Sequence, residues 1–289
     1  MFQDAIRKAQ QYTLPVVVSY RRQDGSTGSS IGAFIVLNED GWILTACHIV
    51  SKMQKFANEL TAYNDYVGKI ASLDAAGTLS RAERKKKIRS FAKPPTNAVT
   101  NFSPWWGRDG WRVERFHLNP LADVAIVQII GFNKELVSTY PVFKNPSVNF
   151  DVGENLCKLG FPFHNIKPTF VEDTSVFQLP PGALPIPLFP IEGIFTRTVI
   201  VEEGTDSAHF VETSSPGLRG QSGGPTFDAA GRVWAMQSRT VHYPLGFSPE
   251  VPNQRNREHQ FLNSGMGTHT YTIIPLLKNF DVNFSMSQD

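Results

Sequence analysis

The stretch Ser214-Ser215-Pro216-Gly217-Leu218-Arg219-Gly220-Gln221-Ser222-Gly223-Gly224-Pro225 constrains this chain more than any other. Four glycines and two prolines crowd around Ser222, just before an apolar, strand-like run. Glycines beside a serine let the backbone take positive φ angles and come close to a substrate. Such a loop can turn the N–H groups of Gly220 and Ser222 toward one point, as a developing oxyanion requires. It also suits a plain tight turn between two strands. Two further segments separate these readings. Leu44-Thr45-Ala46-Cys47-His48 sets a histidine at the end of an apolar strand, and Asn119-Pro120-Leu121-Ala122-Asp123-Val124-Ala125 sets an aspartate at the head of another.

Around these segments the pattern is one of short strands and turns. Phe2, Ile6 and Ala9 recur at helical spacing, so residues 2–12 read as a short packed helix. Residues 15–20, 31–37 and 42–46 read as strands, the last two joined through the hairpin signal Asn38-Glu39-Asp40-Gly41. Strands at 194–201, 208–213, 233–241 and 266–274 continue the series, which predicts antiparallel barrels. A helix is expected to start at Pro275, and the polar stretch 248–260 reads as a loop.

Residues 51–93 break the pattern. Met53, Phe56, Leu60, Tyr63, Val67 and Ile70 alternate three and four apart, the seam of a helix packing on a helix. Ser80 with Glu83 resembles a capping box that opens a second helix, made strongly basic by Arg81, Arg84, Lys85, Lys86, Lys87 and Arg89. This reads as an α-helical hairpin inserted between the histidine and aspartate strands. The basic face is either simply solvated or a docking surface for an acidic partner, nucleic acid or lipid headgroup. The proline-rich run 179–190 cannot be a central strand; it is a rigid loop, packed over the second barrel or offered to a partner.

Taken together, Thr45-Ala46-Cys47-His48, Asp123-Val124-Ala125 and Gly220-Gln221-Ser222-Gly223-Gly224-Pro225 resemble the signatures of trypsin-like serine peptidases in the order His, Asp, Ser. Gly160-Phe161-Pro162 and Gly231-Arg232-Val233 are similar to segments of the bacterial Htr/Deg branch, without a following PDZ-length segment. The resemblance implies a mostly β fold of two antiparallel β-barrels, with the helical hairpin as insertion, divided as 1–135 and 136–289. It implies a serine endopeptidase acting on polypeptides through an acyl-enzyme, with catalytic His48, Asp123 and Ser222 and an oxyanion hole from Gly220 and Ser222. Substrate-binding walls are expected at Pro216, Gly217, Met236, Gln237 and Ser238. The alternative is a regulated or inactive peptide-binding module whose basic hairpin docks a partner.

Two departures from the family pattern matter. Family members activated by proteolysis carry an aspartate before the nucleophile; Gln221 stands here, so pairing with a new N-terminus is not expected. Pro216 takes the place at which trypsins carry their pocket acid, so an uncharged, small or medium apolar side chain is expected before the scissile bond. The remaining histidines, at 117, 164, 209, 242, 259 and 269, read as ordinary surface or core residues.

Composition sets limits. With 41% hydrophobic and 19% charged residues the 289-residue chain is globular. A formal net charge of +2 does not argue for a polyanionic partner overall. The two cysteines, Cys47 and Cys157, fit the disulfide-poor bacterial branch, and Cys47 reads as a buried small hydrophobe rather than a redox switch. No cofactor or metal is expected, since no His/Cys spacing suggests a ligand set. No export signal or apolar span is visible, which points to a cytoplasmic protein, and the resemblance leaves room for an oligomer.

Overall fold

The computed structural model describes residues 2–77, 79–246 and 261–288. The first half runs α1 (Gln3–Tyr12), β1 (Thr13–Arg22), β2 (Thr27–Val36), β3 (Trp42–Ala46), α2 (Cys47–Ala76), α3 (Arg81–Arg89), β4 (Val99–Trp106), β5 (Arg112–Asn119) and β6 (Val124–Ile130). Its six strands form one antiparallel sheet in the order β4-β1-β2-β3-β6-β5. The end strands β4 and β5 are not paired with each other in that sheet, so it is curled but open.

The second half adds β7 (Val142–Phe143), β8 (Asn155–Lys158), the ribbon β9 (Thr169–Val171) and β10 (Val176–Gln178), β11 (Ile191–Glu203), β12 (Asp206–Thr213), β13 (Pro225–Phe227), β14 (Arg232–Pro244), β15 (Phe261–His269), α4 (Thr270–Asn279) and β16 (Ser285–Met286). Strands β13, β8, β11, β12, β15 and β14 pair in that order, and β14 pairs back onto β13. The second barrel is therefore closed, which leaves none of those six strands as a free edge. The mostly β, two-barrel expectation is met, the first barrel being the less complete. One apolar cluster spans both halves, with Val16, Phe34 and Ile43 from the first and Phe227, Val233 and Leu277 from the second.

The inserted helices differ from the sequence reading in three ways. The insertion read from residue 51 is not a separate helix but continues the helical turn at His48, so one helix runs from Cys47. Only Cys47, Val50, Met53 and Phe56 of α2 are buried; Phe56 meets Tyr20 and Phe102 of the sheet rather than another helix. The outer part of the seam is exposed at Val67. The capping box of Ser80 and Glu83 forms as expected, and Arg84 binds Asp74 at 2.5 Å to tie α3 to α2. No side chain of α3 is buried.

Elsewhere, the proline-rich segment is packed, over the junction of the two halves. Its Ile186 is buried with Val17, Ala33 and Phe161. Pro275 does not start the terminal helix but lies inside α4, which begins at Thr270 with His269 as its cap. Capping by the His269 ring, which accepts from the Tyr271 N–H at 2.9 Å, sets that earlier start. The 248–260 stretch and His259 lie outside the described residues. No helix among the described residues is long and apolar enough to cross a membrane.

Candidate active site

His48 and Asp123 are brought together by the start of α2. The first N–H groups of a helix lack intrahelical acceptors and favour a negative charge. Here the Cys47 N–H donates to the Asp123 carbonyl at 3.0 Å, and the His48 N–H donates to Asp123 Oδ1 at 2.9 Å. Asp123 adopts a left-handed conformation, φ 53°, one that aspartate tolerates better than most residues. An Asx-type turn precedes it, the Ala122 N–H donating to Asn119 Oδ1 at 3.0 Å. The same carboxylate takes the ring: His48 Nδ1 lies 2.9 Å from Oδ2 and 3.1 Å from Oδ1.

A third group completes the carboxylate's surroundings. Ser238 Oγ donates to Asp123 Oδ2 at 2.6 Å. Sequence reasoning had Ser238 only as a pocket wall; no local signal links two residues so far apart in the chain. Burial pushes the Asp123 carboxyl up, but the hydrogen bond and charge of His48, with the bonds from Ser238 and the His48 N–H, outweigh it and hold it below the usual carboxylate range.

Ser222 sits between the halves. Its carbonyl accepts from the Ala33 N–H of β2 at 2.8 Å. The next residue, Gly223, has φ +88°, and a Cβ there would run into the Ala33 carbonyl oxygen and the Thr45 hydroxyl. Gly220 has φ +98°, and a Cβ there would meet the Phe161 carbonyl oxygen. Both positions thus need glycine for conformation and for close approach. In the loop, Gln221, Gly223 and Gly224 donate their N–H groups to Leu218, Gln237 and Gln221. The N–H groups of Gly220 and Ser222 have no protein acceptor among the described residues. These are the two donors expected for an oxyanion.

The Ser222 hydroxyl donates to the Ser238 carbonyl at 3.2 Å rather than to the His48 ring. Such looseness is common before a substrate binds. Gln221 is fully buried. Its Oε1 accepts from the Leu218 N–H at 2.9 Å and its Nε2 donates to the Phe189 carbonyl at 3.4 Å. The proline-rich segment therefore braces the serine loop through a neutral side chain.

Two grooves meet at Ser222. One, of about 500 Å³, is lined by Pro216, Gly217, Gln237 and Ser238 as expected, and also by Arg219, Arg239, Thr240 and His242. Met236 is a correction: it is fully buried in the core. Met236 pairs with Pro225 of β13 and Thr268 of β15, inside the closed wall of the barrel, whereas the register shift between Gln237 and Arg239 turns the residues that follow toward the groove. The other groove, of about 470 Å³, runs past His48 toward Lys52 and His164. His164 and His242 are thus groove residues, not ordinary surface.

Beneath the Pro216 wall lies Lys158, 1% exposed. Its Nζ donates to Thr213 Oγ1 at 2.9 Å and to the Ser215 and Pro216 carbonyls at 2.6 and 3.0 Å. Burial pulls its pKa down to about 7. Cys47 and Cys157 are free and buried; burial raises both thiols, Cys157 to about 12, so neither behaves as a reactive thiolate. No cluster of three His, Cys, Asp or Glu that could hold a metal ion occurs among the described residues.

A family model described as "Trypsin-like peptidase domain" matches residues 32–236. No curated protein sequence matches the chain. Among solved structures, a serine-to-alanine variant of the HtrA-type protease AlgW with tripeptide is similar with a TM-score of 0.50 and 12% identity, over 96% of this chain. This chain spans 63% of that one. The active form of the Rv3671c protease from M. tuberculosis is similar with a TM-score of 0.49 and 10% identity, over 98% of this chain and 86% of that one. An identity of 12% speaks to the fold alone, while the family match extends from β2 into β14 and takes in His48, Asp123 and Ser222. The chain belongs to the trypsin-like peptidase family and is a serine endopeptidase.

Proposed function

We propose that the chain cleaves peptide bonds with Ser222 as nucleophile, His48 as base and Asp123 as the carboxylate that orients and stabilises the imidazolium. A serine hydroxyl attacks at neutral pH only if a base takes its proton as the bond forms. Ser222 Oγ turns from Ser238 to the free ring nitrogen of His48, gives up its proton and bonds to the scissile carbonyl carbon. The oxyanion is received by the Gly220 and Ser222 N–H groups, each worth about 3 kcal/mol in comparable sites. His48 then protonates the leaving amine, and water, activated the same way, hydrolyses the acyl-enzyme. What supports this reading most is the joint occurrence of an imidazole bonded to a buried carboxylate and two N–H donors without acceptors beside Ser222.

The two halves, 1–135 and 136–289, are read as the two barrel domains, although Phe2 beside α1 reaches across to stack edge-on with Phe227. Gln221 bonded within its own half fits a site that needs no new N-terminus. The α3 face, basic and unburied, is read as a docking surface for an acidic partner.

The second reading, a latent or binding-only module, draws on the Ser222 hydroxyl resting on Ser238. Fluorophosphonate labelling of purified protein separates the two. Labelling lost in both Ser222→Ala and His48→Ala supports the mechanism. Folded protein that does not label supports the latent module.

A further inference from the structure

The groove beside Ser222 flanked by 216–219 and 237–240 receives, on the reading just given, the side chain before the scissile bond. Its charge is one-sided. Arg219, Arg239 and His242 line it, and no aspartate or glutamate does so among the described residues. The groove on the other side of Ser222 adds Lys52 and His164 and likewise has no carboxylate in its lining.

The two arginines are not spent on internal pairs. Some arginines elsewhere pair with acids, Arg7 with Asp4, Arg84 with Asp74, Arg197 with Glu212 and Arg232 with Asp228. Neither Arg219 nor Arg239 makes an ion pair or a side-chain hydrogen bond among the described residues. Arg239 instead lies with its guanidinium carbon 4.6 Å from the centroid of the Phe210 ring, an arrangement that stiffens the side chain while leaving its donors free. His242 Nδ1 is held by Asn263 Oδ1 at 2.5 Å.

The deep end of the groove is closed. Gln237, 2% exposed, crosses beneath Gly217, where a Cβ would collide with its amide nitrogen. That nitrogen donates to the Arg239 and Met266 carbonyls at 2.9 and 3.2 Å, and its Oε1 is sealed from solvent. Lys158 engages the Ser215 and Pro216 carbonyls of the adjoining wall. A shallow groove with cations at its rim suits a short or medium side chain ending in an anion. It does not suit a long cation or a large apolar group.

We infer that this peptidase selects an acidic residue, glutamate or aspartate, immediately before the scissile bond, with Arg239 and Arg219 as its specificity-determining residues. The expectation of an uncharged residue rested on Pro216 alone, which excludes a fixed acid at that point but says nothing of cations brought in from β14.

The test is a series of internally quenched peptides identical except for Glu, Gln, Ala, Leu or Lys before the cleaved bond. Wild-type kcat/KM for Glu should exceed that for its isostere Gln by about tenfold to a hundredfold, the range for one or two charge-assisted hydrogen bonds. The ratio should shrink as salt rises. Arg239→Gln and Arg219→Gln, both on solvent-facing side chains, should each lower the Glu-to-Gln ratio, and Arg239→Glu should shift preference toward Lys. A ratio near one, a preference for Gln or Leu, or a ratio unmoved by these variants overturns the inference. The fluorophosphonate probe carries no such side chain. Labelling with no Glu preference therefore defeats the specificity alone, whereas failure of both labelling and cleavage defeats the catalytic reading on which it rests.

Discussion

The two halves of the molecule hold their parts of the site by different means. In the first, an open sheet delivers Asp123 to the N-terminus of α2, where the Cys47 N–H holds its carbonyl and the His48 N–H its carboxylate before the imidazole is counted. In the second, a closed barrel carries Ser222 on a glycine loop that fits only against Ala33 and Thr45 of the other half. The His–Asp pair is thus largely self-contained, while Ser222, the proposed nucleophile, is positioned by docking. Bonds across the junction include those from Ser238 to Asp123, from Thr268 to the Ala122 carbonyl and from the Ala33 N–H to the Ser222 carbonyl. Regulation by loosening the junction would therefore act on Ser222 first.

Substitutions can break this comparison. The largest effect is expected for Ser222→Ala, a fall in kcat on the order of 10⁶, and for Asp123→Asn, about 10⁴, because the amide no longer holds the required tautomer. Steady-state kinetics on a cleaved peptide measures both. Equal and small losses would show that neither half contributes the groups assigned to it.

Acid should weaken the second half. Burial, with a smaller contribution from His209, depresses the pKa of His269 to about 4. The unfolded chain therefore binds more protons than the folded one between about 6.5 and 4. Stability contributed by the neutral ring is fully present above the unfolded pKa and is lost as pH falls through that window, by up to about 3 kcal/mol. Urea melts at pH 7.5 and pH 4 should show the loss, reduced in His269→Gln. An unchanged slope in that variant would assign the acid sensitivity elsewhere.

Gly223→Ala tests the junction. It forces an alanine into positive φ against the Ala33 carbonyl and should cost about 2–3 kcal/mol, with a loss of labelling that exceeds the loss of stability. A folded, fully labelling variant would show that the serine loop does not depend on the first half. The smallest effect is expected for Ser238→Ala. Removing one hydrogen bond to a charged acceptor should lower kcat/KM about tenfold and let the Asp123 pKa rise, moving the acid limb of the pH–rate profile upward. A flat result would make the bond across the junction incidental.

Much of this could be read without coordinates. His48, Asp123 and Ser222 were legible because each lies in a local segment whose chemistry depends on near neighbours: a strand end, a strand head, a glycine turn. The capping box at Ser80 and the strand alternation were legible for the same reason. Met236 was misplaced because the wall begins one residue later, at the register shift of β14 between Gln237 and Arg239, and a bulge set by pairing with β15 has no local signal. That the turn at His48 and the insertion form one helix escaped because its N-terminus is held by the distant Asp123 rather than by a neighbouring Ser or Asp.

By itself, then, the sequence determined the fold class, the order of the three chemical segments and the neutral residue at 221, since these rest on short-range spacing and residue type. Tertiary structure alone decided that Ser238 supports Asp123, that Phe189 braces Gln221, and that Arg219, Arg239 and His242 surround one groove with Lys158 behind its wall. Each of these pairs residues from separate strands or loops. Their distances follow from how two sheets curl and dock, and no local pattern of residues encodes that.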